Sequence, residues 1–126
     1  MGIVLLLVGC NDREKVVMYP DTNDEQVSKE IRELLEEAKA IEEANVVFLQ
    51  DELFVAMQLK PFEKWKKQKY EKDWKKKLEK RFPNEKVHVS TDFKLFWESK
   101  KLMDVKNHEK VLEKIKKLKK LAKEET

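Results

Sequence analysis

The sequence predicts a small two-layer α+β sandwich, and three observations point to it. Leu53, Val55, Met57 and Leu59 alternate with Phe54, Ala56, Gln58 and Lys60, the period of two of a strand whose side chains point to opposite faces. Val46-Val47-Phe48-Leu49 precedes them across the short polar break Gln50-Asp51-Glu52, a spacing that suits a hairpin. On either side, apolar residues recur every three to four positions, as they do along one face of a helix. Taken in order, the elements read αββαβα: a three-stranded sheet, the first two helices on one face, and an extra C-terminal helix.

Charged residues make up 42% of the 126-residue chain and hydrophobic ones 40%. A thin core inside a heavily charged exterior follows, at the length of one domain. Net charge is only +3, yet the signs are segregated, with residues 24–43 acid-rich and residues 60–81 and 106–123 lysine-rich. Such polarity suits an anionic surface or partner, although solvated lysine faces on helices give the same composition. The single cysteine, Cys10, excludes an internal disulfide and a cysteine-rich zinc site.

Residues 1–10 form an apolar run that ends at Cys10, after which the chain turns polar at Asn11-Asp12-Arg13. The run is too short to span a bilayer, which takes about 20 apolar residues, and reads instead as the back end of a secretory signal. Its last residues, Leu7-Val8-Gly9-Cys10, resemble the bacterial lipobox; the alternative is a buried N-terminal strand that ends in an inert cysteine. In signals of that kind the cysteine thiol receives a diacylglycerol and the peptide before it is removed, so Cys10 is the expected lipidation site. No basic residue precedes it, which makes residues 1–10 a signal remnant rather than a full signal. Residues 11–21 read as a tether that spans roughly 35–40 Å at most when extended.

The α+β domain is expected over residues 22–104. Thr22-Asn23-Asp24-Glu25 has the capping-box pattern. Val27, Ile31, Leu34, Ala38 and Ile41 follow on one stripe with Leu35 at its flank, and Glu30, Glu33, Glu36 and Glu37 lie opposite. The hairpin occupies residues 44–60. No glycine marks its turn, so a turn of three or more residues is expected rather than a tight two-residue one. Pro61 suits the start of a helix that runs to Phe82, with Tyr70, Trp74, Leu78 and Phe82 four apart. Trp65 precedes Trp74 by about half a revolution and cannot share that face on a continuous helix. After Pro83-Asn84, Val87 and Val89 alternate with His88 and Ser90 on a third strand. Thr91 or Asp92 can cap the next helix, which contains Phe93, Phe96, Trp97, Leu102 and Met103. Periodicity lapses near residues 104–108 and resumes at Val111, Ile115, Leu118 and Ala122. This lysine-rich amphipathic helix, residues 105–126, is expected to be dispensable, because the sheet and the first two helices already make two layers.

The chemistry-bearing residues form no catalytic set. There is no Ser/His/Asp arrangement, glycine-rich phosphate loop or HExxH motif, so an enzyme is the least supported class. His88 and His108 stand alone and read as ordinary polar residues rather than metal ligands, with no cofactor expected. Phe62 and Trp65 are ringed by Lys64, Lys66, Lys67 and Lys69. Rings that insert at headgroup level, with ammonium groups meeting anionic lipid, make these six the candidate surface-binding residues. The alternative places Phe62 and Trp65 in the core, under the hairpin or the terminal helix. Lysines interleaved with Trp65, Tyr70 and Trp74 also have the composition of a nucleic-acid-binding module. Glu71, Asp73 and Glu79 dilute that patch, and a lipobox would place it away from cytoplasmic nucleic acid.

The lipobox, the run Ala44-Asn45-Val46-Val47, the strand Leu53-Phe54-Val55-Ala56-Met57-Gln58-Leu59, Lys76-Lys77-Leu78 and Val87-His88-Val89-Ser90-Thr91-Asp92-Phe93 occur together. In that combination the chain resembles the YhcN/YlaJ sporulation lipoproteins of endospore-forming bacteria. The domain resemblance covers about residues 27–103. A glycine frequent in that family's hairpin turn is absent here, and the segment after Asp104 lies outside the resemblance. The resemblance implies a non-enzymatic lipoprotein, anchored by diacylglycerol on Cys10 to the extracytoplasmic side of the cell or spore membrane. It implies a contribution to sporulation or germination through binding a membrane surface or a protein of the spore envelope or germination apparatus.

Overall fold

The computed structural model describes residues 15–20 and 26–125, with the backbone alone over residues 122–125. The lipobox with Cys10, and the capping-box residues Thr22 to Glu25, lie outside the described residues. The elements are β1 (Val16–Tyr19), α1 (Gln26–Glu37), β2 (Ile41–Leu49), β3 (Glu52–Leu59), a 3-10 helix (Pro61–Lys66), α2 (Lys67–Arg81), β4 (Lys86–Ser90), α3 (Phe93–Leu102) and α4 (His108–Glu125).

The hairpin predicted from the alternation is the centre of the sheet. β2 and β3 pair antiparallel with Val46 opposite Val55, β1 adds parallel to β2, and β4 adds parallel to β3. The sheet therefore has four strands in the order β1-β2-β3-β4, one more than expected. The extra strand lies in the stretch read as a tether. Val16-Val17-Met18-Tyr19 is too short to display a period of its own, and it becomes a strand by pairing with the edge of β2. Ile41 also departs from its expected place. It sits at helical spacing after Ala38, but α1 ends at Glu37 and Ile41 opens β2 opposite Leu59.

One face of the sheet is covered by α1 and α2. Ile31, Leu35, Trp74, Leu78 and Phe82 pack there on Val16, Met18, Ala44, Val46, Leu53, Val55 and Met57. The other face is covered by α3 and α4, whose Leu95, Phe96, Leu102, Val111, Ile115 and Leu118 pack on Tyr19, Val47, Leu49, Phe54 and Ala56. The sandwich has three layers rather than two, and the C-terminal helix is one wall of the second core. The reason is visible in β3, where both parities are apolar and both are buried. A strand buried on both sides requires cover on both sides.

Polar contacts set the layers in register. Asn45 donates from Nδ2 to the Phe96 carbonyl and to Ser99 Oγ, each at 3.2 Å. Lys119 of α4 donates to the buried Glu52 carboxylate, and the Tyr19 hydroxyl donates to the Val105 carbonyl. On the first face, Arg81 of α2 pairs with Glu30 of α1. Of the two capping candidates before α3, Asp92 is the cap, accepting from Leu95 N at 3.1 Å. Asn107 plays the same part before α4, accepting from Glu109 N and Lys110 N.

The turn between β2 and β3 is tighter than expected. Only Gln50 and Asp51 separate the strands, and Gln50 has φ 54°. A left-handed conformation costs an L-residue with a Cβ roughly 1–2 kcal/mol. Gln50→Gly is therefore expected to stabilise the domain by about 0.5–1 kcal/mol after the glycine's greater unfolded-state entropy is subtracted. A urea midpoint that falls instead would show that the Gln50 side chain contributes more than its backbone costs.

Candidate functional site

The strand directions gather several elements at one end of the sheet. β2 starts there, β3 finishes there with Leu59 opposite Ile41, and β4 runs toward the same end with Ser90 opposite Ala56. The 3-10 helix, the start of α2 and the start of α3 consequently lie at this end, while the Gln50–Asp51 turn lies at the other. The start of α2 is tied to the start of α3 through Glu71, whose carboxylate accepts from Thr91 N at 2.6 Å and Thr91 Oγ1 at 2.7 Å.

Pro61 follows the extended Lys60 and opens the 3-10 helix, with Glu63 N donating to the Lys60 carbonyl at 2.8 Å. With three residues per turn, side chains at i and i+3 eclipse, so Phe62 and Trp65 stand on one side. No residue of this helix is buried. Phe62 is 87% exposed and Trp65 78%, so neither packs under the hairpin or α4. α2 then takes over at 3.6 residues per turn and sends Trp74 and Leu78 into the first core, with Tyr70 packed at its margin. Glu63 joins the two helices. It accepts from the Tyr70 hydroxyl at 2.8 Å and lies 4.0 Å from Lys66 Nζ. The hydrogen bond to Glu63, then partial burial and nearby negative charge, raise the Tyr70 phenol above its usual pKa, so it remains a donor.

All six candidate surface-binding residues belong to this place. Phe62, Lys64, Trp65, Lys67 and Lys69 are exposed and Lys66 is half-buried. Lys66 Nζ sits 4.9 Å from the Trp65 ring centroid, and a shallow depression beside it is lined by Lys64, Trp65, Lys66, Lys67, Gln68 and Lys69. Lys69 is engaged with Asp73 at 3.4 Å. Of the three aromatic residues interleaved with these lysines, only Trp65 presents its ring to solvent.

Two further aromatic residues, in the first turns of α3, lie outside both cores. Phe93 is 61% exposed and Trp97 44%, stacked edge-on with centroids 5.7 Å apart, and Lys100 Nζ lies 4.8 Å from the Trp97 centroid. The core stripe of α3 is Leu95, Phe96, Ser99 and Leu102. The four-residue step from Leu95 to Ser99 was the available signal, but the small serine is a weak hydrophobic marker beside two large rings.

The histidines are used in packing. His88 stacks on Phe54 with centroids 5.3 Å apart, and His108 meets the Tyr19 ring edge-on at 5.6 Å. Among the described residues, no group of three His, Cys, Asp or Glu side chains is placed to hold a metal ion, and no helix is long and apolar enough to cross a membrane.

Phe62, Trp65, Phe93 and Trp97 thus lie outside both cores of the three-layer domain. The chain belongs to the sporulation lipoprotein YhcN/YlaJ family, whose profile matches residues 10–118. The match begins at Cys10 and continues through α4 to Leu118, past the limit at residue 103 expected from the resemblance. Neither the curated proteins nor the solved structures contain a match to the chain.

Proposed function

We infer that this chain is a non-enzymatic lipoprotein of the spore envelope, held on the extracytoplasmic side of a membrane by a diacylglycerol on the Cys10 sulfur. It contributes to sporulation or germination by binding a membrane surface or another envelope protein. The observation that carries this reading is the family match that starts at Cys10, the residue at which the lipobox-like run Leu7-Val8-Gly9 ends.

The test is metabolic labelling with a palmitate analogue in the sporulating host. Wild-type protein is expected to take up label and sediment with membranes, and Cys10→Ser is expected to take up none and move largely to the soluble fraction. Two acyl chains, at ~0.8 kcal/mol per buried methylene, are enough for firm anchoring where one is marginal. A wild-type protein that incorporates no label overturns the lipid anchor.

A further inference from the structure

We propose that the end of the sandwich carrying Phe62, Trp65, Phe93 and Trp97 is a second, direct contact with an anionic bilayer, and that the Cys10 anchor holds the domain with this end down. This rests on the lipoprotein reading for the anchor, but the surface itself stands on the fold. Two pairs of exposed aromatic side chains occupy the same end from opposite sides of the sheet, Phe62 and Trp65 on the α2 side and Phe93 and Trp97 on the α3 side. Glu98 of α3 turns toward α4, where Lys114 lies 3.5 Å away. At 3.6 residues per turn, Phe93, Trp97 and Lys100 lie round the helix toward the side away from α4. They therefore lie on a side of α3 that α4 does not cover, with Phe93 at the start of the helix.

Charges of both signs are exposed at this end, with Glu36, Glu37 and Glu42 where α1 leads into β2, but the exposed charges beside the rings in the chain are lysines. Lys60, Lys64, Lys67 and Lys94 are exposed there, Lys66 lies against the Trp65 ring, and Lys100, from the last turn of α3, lies against the Trp97 ring. Amphipathic rings flanked by ammonium groups suit the headgroup layer, where the ring is accepted and the charge stays wet.

The path of the chain selects the occupant. Lys15 stands at the start of β1. Its carbonyl accepts from Ala44 N at 2.8 Å, and its Nζ donates to the Glu36 and Ala38 carbonyls at the end of α1. The chain thus enters the domain at the aromatic end. Only residues 11–14 separate Cys10 from Lys15, a reach of about 18 Å at most. A lipid on Cys10 keeps this end within reach of the membrane and the Gln50–Asp51 turn away from it.

Because Cys10 is the only cysteine, purified unlipidated protein can be coupled through it to a maleimide phospholipid in vesicles, whatever the cell does to that thiol. The vesicles are phosphatidylglycerol and phosphatidylcholine, with bromine on the acyl chains close to the headgroups as a tryptophan quencher. Trp97→Phe leaves Trp65 as the exposed reporter, Trp65→Phe leaves Trp97, and the double variant leaves the buried Trp74. The expected result is loss of emission from both single variants and little from the double variant, reversed by high salt. Without coupling, each Lys→Gln exchange at Lys64, Lys67 or Lys100 should weaken partitioning to anionic vesicles about five-fold. Quenching of neither exposed tryptophan, or of Trp65 alone, overturns the end-on orientation. Failure of palmitate labelling in cells would instead remove the anchor and leave the vesicle result standing.

Discussion

A chain that stops at Asp104 should lose cooperative folding. α4 buries Val111, Ile115 and Leu118 completely against the second face of the sheet. Three such side chains contribute roughly 4–9 kcal/mol together, which is of the same order as the whole stability of a domain, about 5–15 kcal/mol. Removing the helix also uncovers Val47, Leu49, Phe54 and Leu102. It also takes Lys119 from the Glu52 carboxylate, which is buried in the full domain. Glu98 loses one of its partners as well. Burial raises its carboxyl pKa, but hydrogen bonds and charge from Lys101 and Lys114 outweigh burial and hold it below the usual carboxylate range. The truncated protein is expected to bind a hydrophobic dye and to lack a near-ultraviolet circular dichroism signal. A sharp urea transition close to that of the full chain would show that α4 is a passenger.

A carboxylate placed in the middle of β3 should unfold the domain from either side of the sheet. Val55 faces α1 and α2, and Ala56 faces α3 and α4, and both are fully buried. An unpaired charge in such a place costs at least several kcal/mol, whether it stays ionised or takes up a proton. Val55→Asp and Ala56→Asp are therefore expected to be equally damaging, with loss of soluble expression or of the thermal transition. Lys75, exposed on α2, is the control. Lys75→Asp places the same carboxylate in water and should change stability by less than about 1 kcal/mol. If Ala56→Asp were as mild as that control, the second face would be open to solvent and the three-layer arrangement would be wrong.

The sequence by itself determined the local elements. The period of two placed β3, the four-residue spacing of Tyr70, Trp74, Leu78 and Phe82 placed the buried stripe of α2, and Val87 and Val89 placed β4. It also determined that Trp65 could not share the Trp74 face, because 3.6-residue geometry is a property of neighbouring positions alone. The lipobox-like run and the strand residues were enough to indicate the family.

Only the tertiary structure decided the rest, because those features depend on residues far apart in the chain. Val16–Tyr19 is a strand only because the edge of β2 is free to pair with it. Ile41 belongs to β2 because Leu59 lies opposite, though its spacing fits α1 equally well. Phe54 and Ala56 are as apolar as their neighbours require for burial, but periodicity cannot say what covers them. α3 and α4 do so, from much further along the chain. The candidate site divides in the same way. Phe62, Trp65 and their lysines were legible as one local cluster. Phe93 and Trp97 joined them only when the parallel pairing of β3 with β4 brought the 3-10 helix and the start of α3 to one end of the sheet. Hydrophobicity marks a ring as costly to expose; which rings remain exposed is decided by the surfaces that pack around them.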